Sequence, residues 1–155
     1  MKEMTHIPHV NEQQAEFCAK LGLSVSGDSV GLALAKLHDL VALNFHEEHD
    51  LGRPTNKQID FAAQFHIDIS TRTRREGNAI ISDIMTELNL ASIEEQSLGP
   101  GVPVVNKWDE HNRAEIISSI QDDGLVFLKG GNGKRAWARS LKRIRVEAGA
   151  QHLES

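Results

Sequence analysis

The stretch NEQQAEFCAKLGLSVSGDS, from Asn11 to Ser29, returns 44 residues further on as TNKQIDFAAQFHIDISTRT, from Thr55 to Thr73. Gln14 is matched by Gln58, Phe17 by Phe61, Ala19 by Ala63, Ser26 by Ser70, Ala35 by Ala79 and Asp39 by Asp83. Leu21/Phe65, Leu23/Ile67, Val25/Ile69, Leu37/Ile81 and Leu40/Ile84 keep their apolar character. A period of this length marks a duplicated supersecondary module. Each copy opens with a capping box, Asn11 with Gln14 and Thr55 with Gln58, so each begins with a short helix. The apolar spacing agrees: Phe17, Cys18 and Leu21 share one helical face, as do Phe61, Ala62 and Phe65. These helices should end near Gly22 and His66. The alternation that follows, Leu23-Ser24-Val25-Ser26 and Ile67-Asp68-Ile69-Ser70, reads as extended chain. A longer helix closes each unit, with Leu34, Leu37, Leu40 and Val41 as its apolar positions in the first copy. In the second they are Ile80, Ile81, Ile84, Met85 and Leu88.

Past Asn89, Ser92 with Glu95 signals one more short helix, which Gly99-Pro100-Gly101 should terminate. The pattern then becomes strand-like. Strands are expected at about Val102 to Trp108, Ala114 to Gln121, Leu125 to Lys129, Arg135 to Ser140 and Arg143 to Glu147. Asp123-Gly124 and Asn132-Gly133 supply hairpin turns. Five short strands in so few residues fit a small, strongly bent barrel. The expected fold is therefore α+β: a duplicated helical region over 1–99, with repeats at about 11–45 and 55–89, and a five-stranded β-barrel over 100–148.

Composition sets the outer bounds. The 155 residues, 39% of them hydrophobic, suffice for a packed core. The N-terminus lacks the apolar core of a signal peptide and no apolar run approaches the roughly 18 residues of a membrane span, so a cytoplasmic location is expected. Cys18 is the only cysteine, which rules out an internal disulfide, and its match to Ala62 marks it as a small buried residue. The formal charge is −5, yet nine lysines and arginines stand against five acids between Lys107 and Val146. That polarity suggests a basic binding face towards the C-terminal end.

Two local resemblances sharpen these expectations. LGLSVSGDS, Leu21 to Ser29, resembles the loop of a SAP-type helix–extended loop–helix module, a family that binds DNA through this loop and the start of the second helix. Asp28 stands where that family tends to carry a basic residue; in the second copy Thr71-Arg72-Thr73-Arg74-Arg75 supplies the charge. The segment from VPVVNKW to AEIISSIQDDGLVFLKGGNGKRAWARSLKRIRV resembles Tudor-like or ribosomal-protein-type small barrels, which bind peptides, methylated side chains or nucleic acid.

The candidate site follows from the charges. Arg72, Arg74 and Arg75 lie at the start of the fourth helix, where cations oppose the helix dipole unless an anion is bound. Lys129, Lys134, Arg135 and Arg139 surround a glycine-rich hairpin able to approach a phosphate backbone. The hairpin is no P-loop, because Arg135 replaces the magnesium-binding Ser or Thr and a strand follows it. Trp108 and Trp137 fall on expected strands, where core packing is the ordinary role; exposed, either could stack on a base. His46 and His49 in the connector, with His38, His6 and His9 elsewhere, lack the HExxH spacing, so no metal site is expected. No nucleophile–base set or dinucleotide fingerprint is present; neither catalysis nor a cofactor is expected. The expected activity is non-catalytic binding of nucleic acid, double-stranded DNA, through phosphate contacts with weak sequence specificity. The competing expectation is a protein-interaction adaptor, or an accessory protein of a mobile element, using the acidic first repeat and the barrel.

Overall fold

The computed structural model describes residues 4–44, 51–147 and 150–154. The chain divides into two compact units, Met1–Glu87 and Leu88–Ser155. The architecture is α+β, and no helix among the described residues is long and apolar enough to cross a membrane.

The first unit contains helices α1 (Glu12–Lys20), α2 (Val30–Asn44), α3 (Asn56–Ala63) and the first turns of α4 (Arg74–Gln96). Both capping boxes form: Asn11 and Thr55 each accept from the third helical N–H, and Gln14 and Gln58 reach back to the cap backbone. Both short helices then end in the same Schellman arrangement. Leu23 N–H donates to Cys18 O at 2.9 Å and Ile67 N–H to Ala62 O at 3.1 Å. The left-handed residue this requires is Gly22 in the first copy (φ 84°) and His66 in the second (φ 62°). The duplication also starts earlier than the side chains suggest. Val30 N–H donates to Pro8 O, and 44 residues on Arg74 N–H donates to Gly52 O.

The repeats are clasped by a reciprocal pair of contacts. Ser29 caps α2, accepting from Leu32 N–H at 3.0 Å, and its hydroxyl donates to Asp83 of the second repeat at 2.5 Å. Thr73 caps α4, accepting from Glu76 N–H at 3.1 Å, and donates to Asp39 of the first repeat at 2.6 Å. Ser29 and Thr73 are twins in the duplication, as are Asp39 and Asp83, so the repeats meet as the halves of an isologous dimer do. The apolar core lies around Val25, Cys18 and Ala33 in the first copy and includes Ile69, Ala62, Ile80 and Ile84 in the second.

The face that α2 buries differs from expectation. Leu32, Ala35, Asp39 and Ala42 turn inward, whereas Leu34 and Val41 are exposed and Leu37 and Leu40 only half-buried. The clasp explains this, because Asp39 must face Thr73 and the helix period carries Leu32, Ala35 and Ala42 with it.

In the second unit, α4 continues to Gln96 without interruption, so Ser92 and Glu95 lie inside this helix and no separate short helix forms. A five-stranded antiparallel sheet follows: β1 (Pro103–Asn106), β2 (Ala114–Ile120), β3 (Leu125–Leu128), β4 (Arg135–Trp137) and β5 (Leu141–Arg143), in the order β4-β3-β2-β1-β5. Its edges are β4 and β5, and the sheet is not closed as the expected barrel would be. The expected strand from Arg135 to Ser140 is broken by a 3-10 turn at Ala138–Ser140, which moves the fifth strand of the sheet forward to Leu141–Arg143. Arg145–Glu147 (β6) instead pairs with Ala150–Glu154 (β7) in a separate two-stranded ribbon.

Polar side chains on one face of α4 pin this sheet's backbone. Ser92 donates to Ala138 O, Gln96 donates to Leu141 O and accepts from Arg143 N–H, and buried Asn89 donates to Asp123 O while accepting from Arg139 N–H. Positions 89, 92 and 96 share a helical face. The core beneath is Val104, Ile117, Val126, Ala138 and Leu141, with Leu98 and Ile93 against them.

Candidate functional site

The residues singled out from the sequence fall into two groups, one in each unit. At the start of α4, Thr73 is the cap, and Arg74 and Arg75 occupy the first two helical positions. Here the chain supplies its own anions. Arg75 Nε donates to Asp39 Oδ1 at 3.2 Å and Arg72 donates to Glu76 at 3.1 Å. Burial, with Asp39 close by, pushes the Glu76 carboxyl above its ordinary value despite the opposing pull of Arg72. Arg74 reaches Arg53 O at 3.4 Å, and its Nε is buried without a partner among the described residues. The positive run that reads as a phosphate cradle therefore sits in a cluster with Asp39 and Glu76.

The second unit presents a more open arrangement. Trp108 lies in a turn after β1 rather than on the strand, and it is 81% exposed. Asn106 directs the turn by accepting from Trp108 N–H at 2.9 Å. Asp109 orders the rest, accepting from His111 N–H at 3.1 Å and from Arg113 N–H and Nε at 3.0 and 3.1 Å. These bonds, the Arg113 side chain first, hold the Asp109 carboxyl well below its ordinary range and raise the Arg113 guanidinium. Beside Trp108 opens a cleft of about 390 Å³ lined by Arg113, Leu128, Lys134 and Arg135, with Asp109 and Glu115 on its wall. Lys134 is bridged to Glu115 at 3.0 Å, whereas Arg135 is exposed. Lys129 is exposed at the start of the same hairpin.

Arg139 does something else. It donates to buried Asn89 at 3.2 Å and lies 5.7 Å from the Trp137 ring centroid, and burial lowers its pKa. Trp137 is 38% exposed, so neither tryptophan is the core residue that its strand-like surroundings suggest. The signal for Trp108 was present in the run Asn106-Lys107-Trp108-Asp109, whose Asn and Asp are turn formers.

Of the remaining candidates, Cys18 is buried, as its match to Ala62 implies. The connector with His46 and His49 lies outside the described residues. Among the described residues, no three His, Cys, Asp or Glu side chains gather in a way that could hold a metal ion. No family model, curated protein or solved structure matches the chain, so function has to be read from these groups themselves.

Proposed function

We propose that this protein binds nucleic acid without catalysis, through phosphate contacts of weak sequence specificity, and that the cleft beside Trp108 is the principal contact. The carrying observation is the indole itself: 81% exposed, next to Arg113, Lys134 and exposed Arg135. Arg113 and Lys134 are each paired with a carboxylate, so the cleft offers an exposed indole beside the open charge of Arg135. Non-specific binders combine such a stacking surface and cation, and each stacked base contributes about 1–3 kcal/mol. The small barrels that the C-terminal segment resembles have members with this activity, and a strongly bent, barrel-like sheet is part of this proposal. Duplex DNA would use the cations alone, whereas a single strand would add stacking, so single strands should bind more tightly than duplexes.

The test is fluorescence anisotropy with a labelled oligothymidine and a labelled duplex across a salt series. Affinity should fall steeply with salt. Trp108→Ala should weaken the single strand about tenfold or more with the salt slope unchanged, and Arg135→Ala should reduce the slope by about one. Absence of binding at low salt, or indifference to both substitutions, overturns the reading.

One observation favours the adaptor reading as a second function. Between α1 and α2 runs an apolar groove of about 330 Å³ lined by Phe17, Val30, Leu34 and Leu37. Phe17 and Leu34 are 60% and 50% exposed. Exposed apolar surface around a groove suits an amphipathic partner helix. With Glu12 and Glu16 exposed on α1, that helix would carry basic residues beside its apolar face. Nuclease-resistant capture of one partner, lost in Phe17→Ser with Leu34→Ser, supports this reading; capture that survives the substitutions overturns it.

A further inference from the structure

The duplication builds two cavities, one at each junction between the repeats. The first, of about 340 Å³, is lined by Ser29, Leu32, His66, Ile67, Ile80 and Asp83 among others. The second, of about 380 Å³, is lined by the twins of these residues: Thr73, Glu76, Gly22, Leu23, Lys36 and Asp39. The backbone repeats while the charge does not. At the second cavity Asp39 has both oxygens engaged, Oδ2 by the Thr73 hydroxyl and Oδ1 by the Arg75 guanidinium. At the first cavity Asp83 Oδ2 accepts from Ser29, but the twin of Arg75 is Gly31. A Cβ at Gly31 would come 3.3 Å from Asp83 Oδ1, so this carboxylate oxygen faces the place where an arginine stem would begin. Among the described residues Ser29 is the hydrogen-bond donor to Asp83, and it meets the other oxygen.

We propose that the cavity at Asp83 receives a guanidinium group from outside the chain, which does for Asp83 what Arg75 does for Asp39. A carboxylate oxygen with open lone pairs suits the planar fork of a guanidinium, whose methylene stem can lie along apolar walls such as Leu32, Ile67 and Ile80. The other charged groups at the cavity leave room for this ligand. Arg72 is engaged by Glu76 at 3.1 Å, Asp28 by Lys36 at 2.6 Å, and His9 Nδ1 donates to Ile7 O at 2.9 Å. Burial raises the Asp83 carboxyl, outweighing the lowering by the Ser29 hydroxyl and by nearby His9, so neither neighbour fully offsets its desolvation. The guanidinium could belong to an arginine in a partner polypeptide or to a free small molecule. The site is independent of the nucleic-acid cleft.

Amide NMR of the whole protein, titrated with N-acetyl-arginine amide, tests this directly. Saturable shifts are expected at Ser29, Gly31, Leu32 and Asp83, with N-acetyl-glutamine amide giving none. Asp83→Asn, which keeps an acceptor for Ser29, should weaken binding about tenfold or more. Gly31→Arg, which restores the twin's arginine, should abolish it. Free arginine serves as a further probe: equal affinity points to a small-molecule source, and loss relative to the blocked form points to a polypeptide. Shifts that do not saturate, that the glutamine probe reproduces, or that Asp83→Asn leaves unchanged overturn the proposal.

Discussion

Removing one side of the reciprocal clasp should cost far more than an ordinary surface hydroxyl, and the cost should be coupled to one particular aspartate. Ser29→Ala deletes a helix cap and also a hydrogen bond to the Asp83 carboxylate. Loss of a cap costs about 1 kcal/mol, and loss of a bond to a charged group about 1.5–3 kcal/mol. Asp83 is only half-buried, so water replaces part of that bond and the lower figure applies, for a total of about 2–3 kcal/mol. Thr73→Val should fall in the same range, because Asp39 is more buried but keeps Arg75. Urea denaturation of single and double variants measures both. Double-mutant cycles should show coupling of about 1–2 kcal/mol for Ser29 with Asp83→Ala and for Thr73 with Asp39→Ala. The crossed pair Ser29 and Asp39 lies ten residues apart along α2, about 15 Å, and should be additive within about 0.5 kcal/mol. Strong coupling in the crossed pair, or none in the clasped pairs, refutes the isologous packing.

The same aspartate gives the clasp a pH signature. Burial raises the Asp83 carboxyl above its ordinary 3.8, outweighing the lowering by the Ser29 hydroxyl and by His9. A raised folded value means that the native state holds the proton more tightly than the unfolded chain. The contribution of this group is therefore complete below pH 3.8 and declines as pH rises through the folded value. Asp83→Asn should flatten that decline in a pH series of urea midpoints. At the helix ends, His66→Gly should stabilise by about 0.5–1 kcal/mol, since a left-handed non-glycine residue costs about 1–2 kcal/mol and the added unfolded-state freedom of glycine offsets part of it. Gly22→Ala should lower the melting temperature by the converse. Gly124→Ala should be severe, because its Cβ would stand 2.3 Å from Asn89 Cβ and displace the side chain that bonds Asp123 and Arg139. Loss of cooperative unfolding in that variant, against little change in Lys107→Ala, is the expected contrast.

Local chemistry was legible in the sequence wherever it acts within a few residues. The capping boxes at Asn11 and Thr55 and the turn at Asp123-Gly124 are short-range devices, and each forms. What could not be read depends on the other repeat. The buried face of α2 is set by Asp39 reaching Thr73, a contact 34 residues away, and periodicity alone favours the larger leucines. Pro8 and Gly52 share no side-chain character, so their equivalence appears only in the bonds their carbonyls accept from Val30 and Arg74. The charge run Arg72-Thr73-Arg74-Arg75 looked unpaired because Asp39 is far along the chain.

Twin positions in a duplicated unit separate what the fold needs from what it merely tolerates. Where both copies keep a chemical type, as Ser29 and Thr73 or Asp39 and Asp83 do, the backbone arrangement depends on it. Where they diverge, one backbone stands with either residue, so folding alone does not explain the choice. In the second copy Gln58 donates across the helix pair to Asn78. The twins there are Gln14 and Leu34, which meet in an open apolar groove instead. Gly31 against Arg75 is the same kind of difference. An exposed leucine and a glycine where the twin has the arginine that meets its aspartate both make the first repeat less self-sufficient than the second, and ligands that cover the one and replace the other would remove that difference.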